Sequence, residues 1–303
     1  MKNLISIHFD GPIAAKHAVQ LRTFSKTLGH VQTAIDRAYL DIKYGNVWKN
    51  ARLKDEDYTH TDFLLQQTRE GGFIADLLGD KDSGDVVTRI YNAVLPAYEQ
   101  AQAVVVPDQP KLVDLAEQRS RHYKSGAQEP IPYAELIDNP DPGQTRAYGD
   151  RSIVKEFDQI ASAIRARDGD GSVVEVDLYA GKAFPKFVFN SDISAKFHNV
   201  VSIRALGDPV QLSITLRGLD SGNGGTSKAK AMNLLSKKEF NLHIHTDRGF
   251  GSLRKYLKKR NPPPFTIVAC PVLEYGAFDP LAGDMYFIAI VADEKNSVPE
   301  VEE

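Results

Sequence analysis

The strongest constraint on this fold is a change of hydrophobic period partway along the chain. Before Gly171 apolar residues recur at helical spacing; after it they alternate, and the alternation holds to residue 292. A period near 3.6 lays one apolar stripe along a helix, whereas a period of two buries one face of a strand. The chain therefore reads as α+β, with a helix-rich N-terminal module and a C-terminal, antiparallel, β-rich module of barrel or sandwich type.

In the first half, Leu4, Ile5, Ile7 and Phe9 form a short strand, stopped by Asp10-Gly11-Pro12. Leu21, Phe24, Leu28, Val31, Ile35 and Ala38 then step by three and four, predicting a helix over about 14–42. Residues 52–68 are polar and read as a loop or hairpin; Phe73, Ile74, Leu77 and Leu78 make a short apolar patch beside paired glycines. Val87, Ile90, Val94, Tyr98 and Ala101 mark a second helix, in which Pro96 predicts a kink or break near residues 94–95. Six prolines punctuate residues 107–150, a linker or wrapping arm with one short helix around 112–123. Ile153, Phe157, Ile160 and Ile164 mark a third helix, with Asp150 or Ser152 available as its cap. Strands are expected over 172–178, 184–190, 199–206, 210–217, 239–246, 265–272 and 285–292. The expected modules are thus 1–106, the proline-rich 107–150, and 151–292, followed by an acidic tail, 293–303.

Apolar residues make up 42% and charged residues 25%, an ordinary globular balance. Cys270 is the only cysteine, so no intrachain disulfide and no multi-thiolate metal site exists. Its setting, Thr266 to Val272, is an apolar strand in which a thiol is inert. The N-terminus has no signal-peptide pattern, and no run of eighteen apolar residues occurs, so a cytoplasmic protein off the membrane is expected.

Charge is segregated. Between Ser227 and Arg260 lie Lys228, Lys230, Lys237, Lys238, Arg248, Arg254, Lys255, Lys258, Lys259 and Arg260, against only Glu239 and Asp247. That segment carries +8 in a chain of net −3, which leaves −11 on the rest. Such a block is a candidate surface for nucleic acid or an acidic protein. Part of the clustering has a local cause, since cations favour the end of a helix built on Phe250, Leu253, Tyr256 and Leu257. The glycine-rich 218–230 lacks the Gly-Lys-Ser/Thr spacing of a nucleotide loop and reads as a flexible connection.

In the strand 239–246, Phe240, Leu242 and Ile244 point one way, and Asn241, His243 and His245 the other. Two imidazoles about 7 Å apart can share a metal ion. "LHIHT" resembles the first metal motif of polymerase-and-histidinol-phosphatase phosphoesterases over five residues. That motif opens a long barrel with later ligands, whereas here 58 residues follow His245 and none is histidine. Asp247, Asp279, Asp284 and His198 are the further donors for a divalent metal. The plainer reading makes both histidines polar residues on the wet side of a half-buried strand. His8, His17, His30 and His60 show no metal-like grouping.

Two functions are expected from this pattern. The first is a non-catalytic binding protein, without a cofactor, that works as a subunit of an oligomer or hetero-complex. It contacts nucleic acid or an acidic protein through residues 227–260. The alternative is a metal-dependent phosphoesterase or nuclease built on His243, His245 and Asp247.

Overall fold

The computed structural model describes residues 3–45, 47–66, 72–103, 111–139, 146–167, 169–222, 227–257 and 263–291. In chain order the elements are β1 (Asn3–Asp10), α1 (Leu21–Tyr44), α2 (Tyr58–Thr61), β2 (Leu64–Leu65), β3 (Phe73–Gly79), α3 (Gly84–Ala103) and α4 (Leu112–Lys124). There follow β4 (Ile131–Pro132), α5 (Tyr133–Asp138), α6 (Tyr148–Arg165), β5 (Val173–Ala180), β6 (Phe187–Phe189), α7 (Ser191–Val201) and β7 (Arg204–Leu206). The rest comprises β8 (Val210–Asp220), β9 (Ser227–Asn233), β10 (Glu239–Ile244), α8 (Asp247–Arg254), β11 (Phe265–Glu274) and β12 (Met285–Ile290). The protein is α+β, as its two periodicities require. No helix among the described residues is long and apolar enough to cross a membrane.

The chain forms two compact units, Met1–Asp108 with Ala147–Ile203, and Gln109–Arg146 with Arg204–Glu303. The expected grouping of 151–292 is therefore corrected. β5 pairs antiparallel with β1 along its whole length, from Asn3↔Ala180 to Asp10↔Val173, and carries α6 and α7 into the first unit. Alternation shows that a segment is a strand without naming its partner, which is why the boundary was misplaced. The proline-rich stretch is no bare linker: 109–146 belongs to the second unit and holds α4, β4 and α5.

In the first unit an antiparallel sheet runs β2-β3-β1-β5-β6. Ile5, Ile7 and Phe9 of β1 and Val174, Val176 and Leu178 of β5 are buried, and α3 packs on both strands. The Tyr98 hydroxyl pins α3 to β6, donating to Val188 O at 3.1 Å and accepting from Val188 N at 2.9 Å. Phe157, Phe187, Phe189 and Phe197 fill the space between helices and sheet through edge-on contacts.

Several local expectations need correction. Residues 199–206 are the end of α7 and then β7; Asn190 caps α7 by accepting from Ile193 N, and Ser194, Phe197, Val200 and Val201 share its buried face. The apolar patch 73–79 is a full strand, β3, paired with β1 from Asn3↔Gly79 to Phe9↔Phe73. α3 continues through Pro96 without a break, because Val94, Ala97, Tyr98 and Ala101 are buried on either side of that position. α6 starts at Tyr148, ahead of both expected caps; Ala147 takes the cap position without a side-chain bond, and Asp150 pairs with Arg89 instead. α1 begins at Leu21, which is itself 80% exposed, after a 3-10 turn over Gly11–His17. Of the expected flexible connection 218–230, residues 218–220 end β8 and residues 227–230 begin β9.

In the second unit the strands run β8-β9-β10-β12-β11, and β11 pairs back on β8, closing a barrel. Among these five strands all neighbours are antiparallel except β10 and β12, which are parallel; β4 adds a second parallel pair on β8, and β7 pairs antiparallel with β11. A register shift in β8 between Leu216 and Gly218 bends that strand so that it serves both β9 and β11. Leu212, Ile214, Leu216, Ala231, Phe240, Leu242, Ile267 and Phe287 fill the interior. Outside, Val268, Cys270, Val272, Tyr286 and Ile288 are covered by α4 through Leu112, Leu115 and Ala116. Cys270 is fully buried, and burial pushes its thiol up to about 12, which disfavours the reactive thiolate.

Candidate nucleic-acid interface

The hairpin β9–β10 carries the centre of the basic segment. In β9 the small Ala229 and Ala231 point into the barrel, while Lys228 and Lys230 point outward and are exposed. In β10 Phe240, Leu242 and Ile244 point inward and Asn241 and His243 outward, the alternation read from the sequence. The register sets Lys228 opposite His243 and Lys230 opposite Asn241, so the four side chains form two adjacent rows on one outer face. Asp220 of β8 extends the first row beside Lys228, and Lys230 lies 3.9 Å from Glu239 at the rim.

The floor of this face is held by hydrogen bonds. Asn241 Nδ2 donates to both carboxylate oxygens of Asp284 at 3.2 Å. His243 Nε2 lies 3.5 Å from Asp284 Oδ2, and its ring stacks on Tyr286 with centroids 5.4 Å apart. His245 leans on the same tyrosine at 6.1 Å; its Nδ1 is buried and finds no hydrogen-bond partner among the described residues. Burial holds its pKa below the usual imidazole range, Glu117 opposing that shift and Lys124 adding to it. Lys124, on α4, is a cation from outside the basic segment that reaches this neighbourhood. Counting charge along the chain could not have found it.

The remaining cations are divided. Lys237 and Lys238 sit in the β9–β10 turn, where Lys237 adopts a left-handed φ of 57°. That turn is at the opposite end of the hairpin from Lys228, about 20 Å away along the strands. Arg248, Arg254 and Lys255 are exposed on and just after α8. Thr246 caps that helix by accepting from Gly249 N at 3.1 Å, and Leu253 enters the barrel interior with Phe250 and Tyr256 against it. Tyr256 stacks on Phe265 at 3.8 Å, and it and Phe250 are partly buried against the barrel core. Lys258, Lys259 and Arg260 lie outside the described residues, as does the acidic tail.

Among the described residues no three histidine, cysteine, aspartate or glutamate side chains are placed to hold a metal ion. His243 and His245 do share one side of the strand, but Asp247 is exposed in the first turn of α8. Asp279 accepts from Leu281 N and Ala282 N, and His198 contacts Asp158 in the first unit. The simple solvent-face reading is also corrected: both rings lie against Tyr286 and are only partly exposed.

In the first unit His8 lies 3.2 Å from Glu175, which also accepts from Lys186 at 3.0 Å; these partners come from strands far apart in sequence. His30 contacts Glu156 at 2.7 Å.

Five strands ordered first-second-third-fifth-fourth, the first closing on the fourth and a helix between third and fourth, make a closed barrel whose strand order resembles that of OB-type Greek-key barrels. No family model, curated protein or solved structure matches the chain.

Proposed function

We propose that this is a non-catalytic nucleic-acid-binding protein that meets its ligand on the outer face of β9 and β10 and acts within a larger cytoplasmic assembly. One observation carries the proposal: Lys228, Lys230, Asn241 and His243 stand together on the second and third strands of a barrel whose strand order resembles the OB type. Barrels of this kind bind oligonucleotides and oligosaccharides on that face. The step from fold to ligand is an analogy. Of the ten cations in the Ser227–Arg260 segment, Lys228 and Lys230 are the two that stand on this face, and they supply its positive charge beside Asp220 and Glu239. Lysines neutralise phosphates and release counterions, while the partly exposed His243 imidazole and the Asn241 side-chain oxygen add polar groups for base or sugar. An acidic protein would meet the cations but has less use for those groups.

Fluorescence anisotropy with labelled single-stranded DNA, single-stranded RNA and duplex DNA at 50 and 200 mM salt tests this. We expect affinity that falls steeply with salt, and at least a tenfold loss in the Lys228→Glu/Lys230→Glu variant. Binding indifferent to that double reversal would exclude this face as the contact.

A further inference from the structure

The sheet of the first unit ends on leucines. β2 closes the order β2-β3-β1-β5-β6, and among the described residues it pairs only with β3, Leu64 opposite Leu78 and Leu65 opposite Leu77. Gln66 N donates to Asp76 O at 2.8 Å, one step further along the same pairing. Main-chain groups in an antiparallel pair turn alternately toward the partner strand and away from it, so the N–H and C=O of Leu65 both face outward. Proteins ordinarily blunt such an edge with charge, proline or a bulge. This one presents Leu64 and Leu65, which are 72% and 49% exposed.

α1 flanks the same edge. Leu28, Gly29 and Ile35 of the helix face Phe63, Leu65 and Leu77 across a cavity of about 320 Å³ that opens at the surface. Gln32 Nε2 donates to Thr61 O at 3.1 Å and ties the approach to β2 onto the helix. Leu21, 80% exposed, lies seven residues before Leu28 and so extends that apolar side of α1 toward its start. On the outer face Arg22, Gly29 and Asp36 are also spaced by seven, with glycine at the midpoint. Gly29 is exposed, and a Cβ built there would meet nothing within 4 Å. A second helix running the other way can come close at that point, and it then sets Arg22 of each copy against Asp36 of the other.

We propose that two copies of this chain join edge to edge through β2 and α1. Leu65 pairs with Leu65 of the partner subunit, each donating its N–H to the other's carbonyl, and the helices meet at Gly29. One twofold axis serves both contacts, because Gly29 and Leu65 line the same cavity. An extended peptide from another protein would use the edge but has no need of the Arg22–Gly29–Asp36 stripe. The dimer is separate from the barrel-face reading, since every residue in it belongs to the first unit.

The test is sedimentation velocity on the full chain, freed of nucleic acid, over a roughly hundredfold range of concentration. We expect a monomer–dimer equilibrium in the wild type. Leu65→Pro removes an N–H that points away from β3, so it should keep β2 in place, leave the circular dichroism spectrum unchanged, and raise the dimer dissociation constant at least about tenfold. Arg22→Asp provides a second variant that keeps the fold, because an acidic residue suits the first turn of a helix. It should also weaken the dimer, and Arg22→Asp/Asp36→Arg should restore it. A wild-type chain that stays monomeric throughout overturns the proposal and leaves the edge to a strand of a different protein. A dimer that survives Leu65→Pro, or that Arg22→Asp leaves unchanged, overturns it as well.

Discussion

Asp57 shows how much one side chain can organise. It is fully buried and accepts from the Lys43 ammonium, from Lys54 N at 2.8 Å, and from the Tyr39 and Tyr44 hydroxyls at 3.3 and 3.2 Å. Burial alone would raise its pKa, but the bonds from Lys43 and Lys54 outweigh burial and hold the carboxyl at about 2. A group depressed in the folded state stabilises above its ordinary value of 3.8, and that contribution drains away as pH falls toward 2. Melting temperature should therefore fall more steeply between pH 4 and pH 2 in the wild type than in Asp57→Asn. Parallel melting curves would refute a structural role for this ion pair. Gly11 poses a steric case: its φ is 75°, and a Cβ there would come 2.6 Å from the Gly171 carbonyl oxygen. Gly11→Ala should cost about 2 kcal/mol or more by urea denaturation, combining a left-handed backbone with a clash against main chain.

At the scale of elements, α3 and α8 teach different things. Pro96 removes an N–H from the interior of α3 but is exposed, so it costs hydrogen bonding without filling the core. Pro96→Ala should stabilise the protein, by about 1–3 kcal/mol offset in part by a freer unfolded chain; a lower urea midpoint would mean the proline shapes packing on that helix. Leu253 of α8 is fully buried in the barrel interior, and Leu253→Ala should cost about 2–5 kcal/mol. Stripes such as Val87-Ile90-Val94 and alternations such as Phe240-Leu242-Ile244 were legible because burial on one face imposes a period. The outward side of β10 was legible for the same reason. Residues 199–206 were not, because a β-branched run serves either state, and the cap that decides it, Asn190, lies nine residues earlier.

Over the whole molecule the decisive feature is that neither unit is continuous in sequence: the first takes Met1–Asp108 and Ala147–Ile203, the second Gln109–Arg146 and Arg204–Glu303. β1 lies between β3 and β5, so without residues 173–180 its other edge would stand unpaired and Ile5, Ile7 and Phe9 would lose part of their cover. The barrel in turn relies on α4 to cover Val268, Val272, Tyr286 and Ile288. A cut at residue 146, near the end of the proline-rich stretch, therefore leaves both pieces with exposed apolar surface. Fragments 1–146 and 147–303 expressed singly should aggregate or lack a cooperative thermal transition by circular dichroism. Expressed together they should associate and recover one, since each supplies what the other lacks. Cooperative unfolding of 1–146 alone would show that β1 and β3 with their helices hold without β5, and the interleaved account of the fold would fail.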